Sequence, residues 1–250
     1  MSGHSTHSFE SDDGARLTYY ELGGGRPLVL LHGYMLPAVP TWLESGIASR
    51  LAGDGHRVIM PDLRGHGASV PANDAYPADA LVTDAMRLIA HLELDEYDLG
   101  GYSLGARIVA RLLALGVRPG RAVIAGTGLD PIVHAAGRGG SYRRILADID
   151  GWEPGTPEAQ FAGYVRQFGR DPVALTRIFD TFIDTGEGDL AEVQVPTLVL
   201  AGEEDTARGS VEDLAAILPG GRAQRIPGDR YTALTSTGFT DQLVSFFSVR

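Results

Sequence analysis

The sequence predicts an α/β fold with a mostly parallel, eight-stranded sheet flanked by helices, and three observations predict it. Short β-rich runs alternate with runs of helical period along most of the 250 residues. The central run PLVLLHG, Pro27 to Gly33, is almost wholly apolar and ends in glycine, as a strand buried on both faces reads. The helical runs between strands are long enough for right-handed βαβ crossovers, which make neighbouring strands parallel. With 44% hydrophobic residues the chain can bury one large core.

Taken in order, SFESDD and RLTYYEL form an opening hairpin around Asp13 and Gly14. After PLVLLHG, the run TWLESGIASRLAGDG reads as one helix capped by Thr41, followed by the strand RVIMPDL and the turn-rich RGHGAS. ADALVTDAMRLIAHLEL is a helix whose apolar stripe is Leu81, Val82, Ala85, Leu88, Ile89 and Leu92. The strand YDLGGYS leads into the helix LGARIVARLLALG, closed by Gly116, and then the strand RAVIAGTG. From about Leu129 to Asp189 the alternation stops. That stretch has aromatics and helical runs but no convincing strand, and it reads as a helical cap at 129–189 inserted into a core of 1–128 and 190–250. VPTLVLAGEED and RAQRIPGD resume the sheet, and GFTDQLVSFFSVR closes the chain as an amphipathic helix.

Composition removes several classes of function. Twenty-one Lys and Arg against 32 Asp and Glu leave a net charge of −11, which repels phosphate backbones and anionic membrane surfaces. Nucleic acid and membrane are therefore not expected partners. The absence of cysteine excludes disulfides, thiolate catalysis and Cys-ligated zinc. The N-terminal stretch lacks a signal-like apolar core and no segment offers about 18 consecutive apolar residues, so a cytoplasmic protein is the expectation. GGGRP lacks the Lys-Ser/Thr ending of a phosphate loop, GTGLD lacks the third glycine of a dinucleotide turn, and no His/Asp/Glu metal spacing occurs. No cofactor or metal is implied. Oligomeric state cannot be read.

The most informative motif is GGYSLGA, Gly100 to Ala106. It contains G-x-S-x-G around Ser103, between a strand and a helix. A serine at such a reversal is strained and needs very small neighbours, which Gly101 and Gly105 provide. A glycine-rich turn with an N-cap serine would carry the same letters, but the strand–turn–helix setting favours a nucleophile. With LLHGYM, PDLRGHGAS and LVLAGEED in the same order, the chain resembles the α/β-hydrolase fold family over nearly its whole length. The resemblance implies Ser103 as nucleophile and the backbone amides of Tyr34 and Leu104 as the oxyanion hole. It implies Asp205, after the strand LVLAG, as the orienting acid, with Asp130 after VIAGTG as the alternate position. His32 lies in the oxyanion loop, where the family's histidine usually bonds neighbouring backbone.

The family's base is a histidine on the loop after the last strand. Here that loop is IPGDRYTAL, and Arg230 stands in the histidine's place; the last of the seven histidines is His134. Arginine keeps its proton at neutral pH and can only donate hydrogen bonds, so it cannot deprotonate serine. Three readings compete: a hydrolase disabled by a histidine-to-arginine change, which one base transition produces; a non-hydrolytic enzyme using Arg230 to hold an anionic group; and a binding or scaffold protein. The first leads, as a serine hydrolase for small carboxylic ester or thioester substrates that is impaired at its base.

The cap residues Tyr142, Trp152, Phe161, Tyr164, Phe168, Phe179 and Phe182 are expected to divide between the cap's own core and an apolar pocket over Ser103. Arg138, Arg143 and Arg144 lie close by in sequence. The residues expected to contact a small-molecule acyl substrate are His32, Met35, Tyr102, His134, Trp152 and Tyr231.

Overall fold

The computed structural model describes residues 3–69, 76–167, 171–206 and 209–248. The strands are β1 (Ser5–Glu10), β2 (Arg16–Gly23), β3 (Arg26–Leu31), β4 (His56–Pro61), β5 (Asp98–Tyr102), β6 (Ala122–Ala125), β7 (Thr197–Gly202) and β8 (Gly221–Ile226). They form one eight-stranded sheet in the order β1-β2-β4-β3-β5-β6-β7-β8. The β1–β2 hairpin is antiparallel, with Phe9 opposite Leu17, and β2 runs antiparallel to β4; every later pairing is parallel. The predicted strands fall in these places.

Successive side chains of a strand point to opposite faces, and here both faces are covered. Leu28, Leu30, Val58, Met60, Val123 and Leu198 enter one core with the helices α1 (Ile47–Gly53) and α11 (Thr237–Phe247). Val29, Leu31, Ile59, Leu99, Ile124 and Val199 enter the other, with α2 (Ala80–His91), α3 (Leu104–Ala114) and α9 (Val211–Ile217). That double burial is why the central strands read as unbroken apolar runs.

Between β6 and β7 lie α4 (Asp130–Val133), α5 (Gly140–Ala147), α6 (Pro157–Gln167), α7 (Pro172–Ile178) and α8 (Glu187–Ala191), with no strand among the described residues. Phe168 lies outside the described residues.

Three local features differ from the sequence reading. The helix expected from Thr41 is two pieces, a wide π-type turn at Val39–Glu44 and then α1, because Gly46 takes φ 81° between them. Thr41 does not cap; its hydroxyl donates to the Pro37 carbonyl at 2.8 Å from within the turn. α9 follows β7 and is capped by Ser210, whose hydroxyl accepts from the Asp213 amide at 2.9 Å. Finally, the loop after β8 contains a short helix, α10 (Arg230–Leu234). Asp229 caps it by accepting from the Thr232 amide at 2.8 Å, while the Thr232 hydroxyl accepts from the Asp229 amide at 2.8 Å.

Candidate active site

Ser103 sits between β5 and α3 with φ 56° and ψ −102°, a left-handed conformation that a side chain rarely adopts. The neighbouring glycines make room for the reversal. A Cβ on Gly101 would lie 2.3 Å from the backbone of Gly105, and one on Gly105 would lie 2.1 Å from the Leu31 carbonyl oxygen. The Ser103 amide donates to Ala125 at 2.7 Å, which pins the turn to the neighbouring strand.

The loop after β3 lies against this elbow. The Gly105 amide donates to the His32 carbonyl at 3.0 Å, and a Cβ on Gly33 would come 3.5 Å from that of Ser103. Side chains from the loop after β4 fix its shape. Leu63 N–H donates to His32 Nε2 at 2.9 Å, so Nδ1 carries the proton and donates to the Gly33 carbonyl at 2.8 Å. The Met35 amide donates to His66 Nε2 at 3.2 Å. Asp62 accepts from the amides of Ala38 and Ala68, each at 2.9 Å. Met35 is itself held at φ 76°. Among the described hydrogen bonds outside regular helices and strands, neither the Tyr34 nor the Leu104 amide donates to a protein group.

Arg230 opens α10 and reaches back over the elbow. Its Nη2 donates to Ser103 Oγ, and its Nη1 donates to the Gly126 carbonyl at 3.2 Å while lying 3.8 Å from Asp205 Oδ2. The Asp205 side chain is almost wholly buried, and its Oδ2 accepts no hydrogen bond. Tyr102, the residue before the serine, donates its hydroxyl to the Arg230 backbone carbonyl. Burial raises the Tyr102 phenol above its ordinary pKa, with the Arg230 charge opposing the shift, so this hydroxyl stays a donor. The Asp205 carboxylate, the Arg230 guanidinium and the Ser103 hydroxyl thus stand in sequence, with the arginine in the middle.

A cavity of about 420 Å³ opens over Ser103 and Arg230. Tyr34, Met35, Tyr142, Phe161, Phe179 and Phe182 are among its apolar lining, and Tyr34 donates its hydroxyl to the Leu175 carbonyl at 2.9 Å. Desolvation raises the Tyr34 phenol above its ordinary pKa. Of the residues expected at the substrate, Met35, Tyr102 and Tyr231 line this cavity.

His32, His134 and Trp152 do not. The His32 ring is fully buried and used on backbone groups. His134 is exposed and stands 3.2 Å from Asp130, and Trp152 lies beneath the Arg144 guanidinium at 5.6 Å. Asp130 pairs with Arg138, so the carboxylate beside Arg230 is Asp205. Arg143 pairs with Asp180 at 2.8 Å, away from the cavity lining, whereas Arg138 lines it. Arg107 was missed. It is one helical turn beyond Ser103, its amide donating to the Ser103 carbonyl at 3.2 Å, and that i, i+4 spacing was the available signal. Among the described residues no three His, Asp or Glu side chains gather as a metal site would require.

The profile of the Alpha/beta hydrolase family matches residues 28–231. Among curated proteins, the non-heme chloroperoxidase CPO-A1 of Kitasatospora aureofaciens is 34% identical over 99 residues, 40% of this chain and 35% of that protein. The N-formylmaleamate deformylase of Pseudomonas putida is 37% identical over 132 residues, 51% of this chain and 46% of that protein. The matched region thus spans less than half the length of either relative. Among solved structures, MGS-M2, an alpha/beta hydrolase enzyme from a Medee basin deep-sea metagenome library, superposes with a TM-score of 0.80 at 18% identity, covering 98% of each chain. A hydrolase from Pseudomonas aeruginosa PA01 gives 0.75 at 24% identity, covering 98% of this chain and 99% of that one. At these identities the structural likeness is one of fold. No helix among the described residues is long and apolar enough to cross a membrane.

Proposed function

The chain belongs to the alpha/beta hydrolase family, and from that premise we propose that it carries a serine-hydrolase site for small carboxylic esters or thioesters whose ordinary turnover is suppressed by Arg230. Ser103 is the nucleophile, the amides of Tyr34 and Leu104 form the oxyanion hole, and Asp205 is the orienting acid. The observation that carries this reading is the position of the Arg230 guanidinium, between the Asp205 carboxylate and Ser103 Oγ.

In a working site of this design the group at that position takes the serine proton as Oγ attacks the acyl carbon. It then returns the proton to the leaving oxygen or sulfur. Arg230 performs neither step. By donating into Oγ it also withdraws electron density from the nucleophile. Removing a triad member costs about four to six orders of magnitude in turnover, with some residual acceleration left to the oxyanion amides. Asp205 Oδ2 supports the same reading: it faces Arg230 Nη1 at 3.8 Å but accepts no hydrogen bond, a costly state for a buried carboxylate oxygen, and it is where an imidazole N–H would bond.

The test is hydrolysis of p-nitrophenyl acetate and butyrate by the chain as it stands and by Arg230→His, against Ser103→Ala as background. Recovery of serine-dependent turnover in Arg230→His supports the proposal, and a rate at background removes it.

A further inference from the structure

We infer that the chain, with Arg230 in place, is a receptor for an organic carboxylate with an apolar or aromatic body, bound at Ser103 and Arg230. The inference rests on the assignments of Ser103, Tyr34 and Leu104 made above, and concerns binding alone.

Its basis is the direction of the hydrogen bonds at the cavity floor. When an imidazole base stands beside a serine, the hydroxyl donates to it and the floor can accept a proton. Here the guanidinium donates to Oγ, so the serine's own proton is free to turn toward the cavity. The groups presented to a ligand are then the Ser103 O–H, the Arg230 N–H groups and the amides of Tyr34 and Leu104, and all of them are donors. A neutral ester offers one good acceptor to such a floor. A carboxylate offers two oxygens and a negative charge, and charge-assisted bonds are about twice as strong as neutral ones.

The walls agree with this. Arg107 and Arg138 also line the cavity, the charge of Arg138 being offset by its pairing with Asp130, and no Asp or Glu stands among the described lining residues, in a chain whose net charge is −11. Arg107 is fixed by stacking at 3.8 Å over Phe182 and by a 3.3 Å bond to the Ala135 carbonyl. Asp205 offsets part of the Arg230 charge, but it is buried and is not a lining residue. The apolar wall selects the ligand's body, and a volume of about 420 Å³ suits a small aromatic acid.

Calorimetric titration of the unmodified chain with phenylbutyrate and with its neutral isostere phenylbutyramide tests the inference. The expected result is that the acid binds at least about tenfold more tightly than the amide and that Arg230→Met removes the preference. Should Arg230→Met not fold, Arg230→Gln is to give the same loss. Equal binding of acid and amide, no binding of either, or an acid preference that survives loss of the guanidinium overturns it. The outcome is separable from the hydrolase proposal. Turnover by Arg230→His without an acid preference in the unmodified chain removes only this inference, and an acid preference with a silent Arg230→His removes only the other.

Discussion

Arg230 donates a hydrogen bond from Nη2 to Ser103 Oγ, although the two residues are 127 positions apart in the chain. The contact exists because β5 ends at a strained elbow that lifts Ser103 out of the sheet, and because α10 starts at residue 230 rather than later. Asp229 sets that start by capping the helix, and Tyr102 ties the first residue of α10 to the elbow through its carbonyl. The side chain at position 230 is therefore aimed at the serine by backbone geometry, whatever residue stands there.

Tyr102→Phe tests this aiming. Loss of the hydroxyl removes a hydrogen bond to the Arg230 carbonyl from outside α10, which is expected to cost about 1 kcal/mol in stability. In an Arg230→His background the same change is expected to lower kcat about tenfold with KM little altered, since the hydroxyl it removes bonds the backbone that positions residue 230 while the ring that lines the cavity stays. Steady-state kinetics of the paired variants give the answer, and a change confined to KM would contradict the role.

The elbow itself is intolerant of bulk. A methyl group on Gly105 meets the Leu31 carbonyl oxygen at 2.1 Å, and backbone cannot move aside as a flexible side chain can. Gly105→Ala is expected to destabilise the fold by about 3 kcal/mol or more, measured as a fall in the urea midpoint. An unchanged midpoint would mean that the elbow is looser than its geometry states.

Strain at Ser103 should be recoverable as stability. Ser103 is held at φ 56°, a conformation that glycine adopts at little cost. Ser103→Gly is expected to stabilise the protein by about 1 kcal/mol while abolishing any serine-dependent chemistry. Thermal unfolding of the two forms compares them directly, and a lower Tm for Ser103→Gly would count against stored strain.

A buried ion network ties the β1–β2 turn to the loop after β4. Arg64, only 2% exposed, donates to Asp84 at 2.8 Å and to Asp13 at 2.5 Å. Its bonds hold the Asp13 carboxyl below its ordinary pKa, against desolvation, which acts in the opposite direction. A depressed folded-state pKa gives stability that is fully present above the unfolded value of about 3.9 and is lost as pH falls through the folded value. Asp13→Asn is therefore expected to flatten the decline in stability below about pH 4, read from urea midpoints at a series of pH values. If the decline is as steep without Asp13, the network is not its source.

The positions of the strands along the chain and the reversal at Ser103 were legible in the sequence because both depend on local rules. Burial on both faces writes continuous apolar runs such as Pro27 to Leu31, and the reversal at Ser103 demands glycine at 101 and 105. The break at Gly46 was harder to see, because the run from Thr41 to Gly53 keeps a helical period across it. The helix α10 was hidden because an Asp-x-x-Thr box opening a five-residue helix differs little from a polar loop. At the site, Ser103, Asp205 and Arg230 could be named from position, but the misplacement of His134 and Trp152 had no sequence remedy. Helices between β6 and β7 pack by long-range contacts, and nothing in their letters says which side chains face the elbow. Arg107 was within reach, since helical spacing alone sets it beside Ser103.

The central question is whether Arg230 occupies the place of a base in an otherwise complete site. The most direct measurement is p-nitrophenyl butyrate hydrolysis by Arg230→His, with the unmodified chain and the double variant Ser103→Ala/Arg230→His as references. The single variant is expected to gain at least about three orders of magnitude over the unmodified chain, and the double variant to return to background. A single variant that folds but stays at background, or a gain that persists without Ser103, would contradict it.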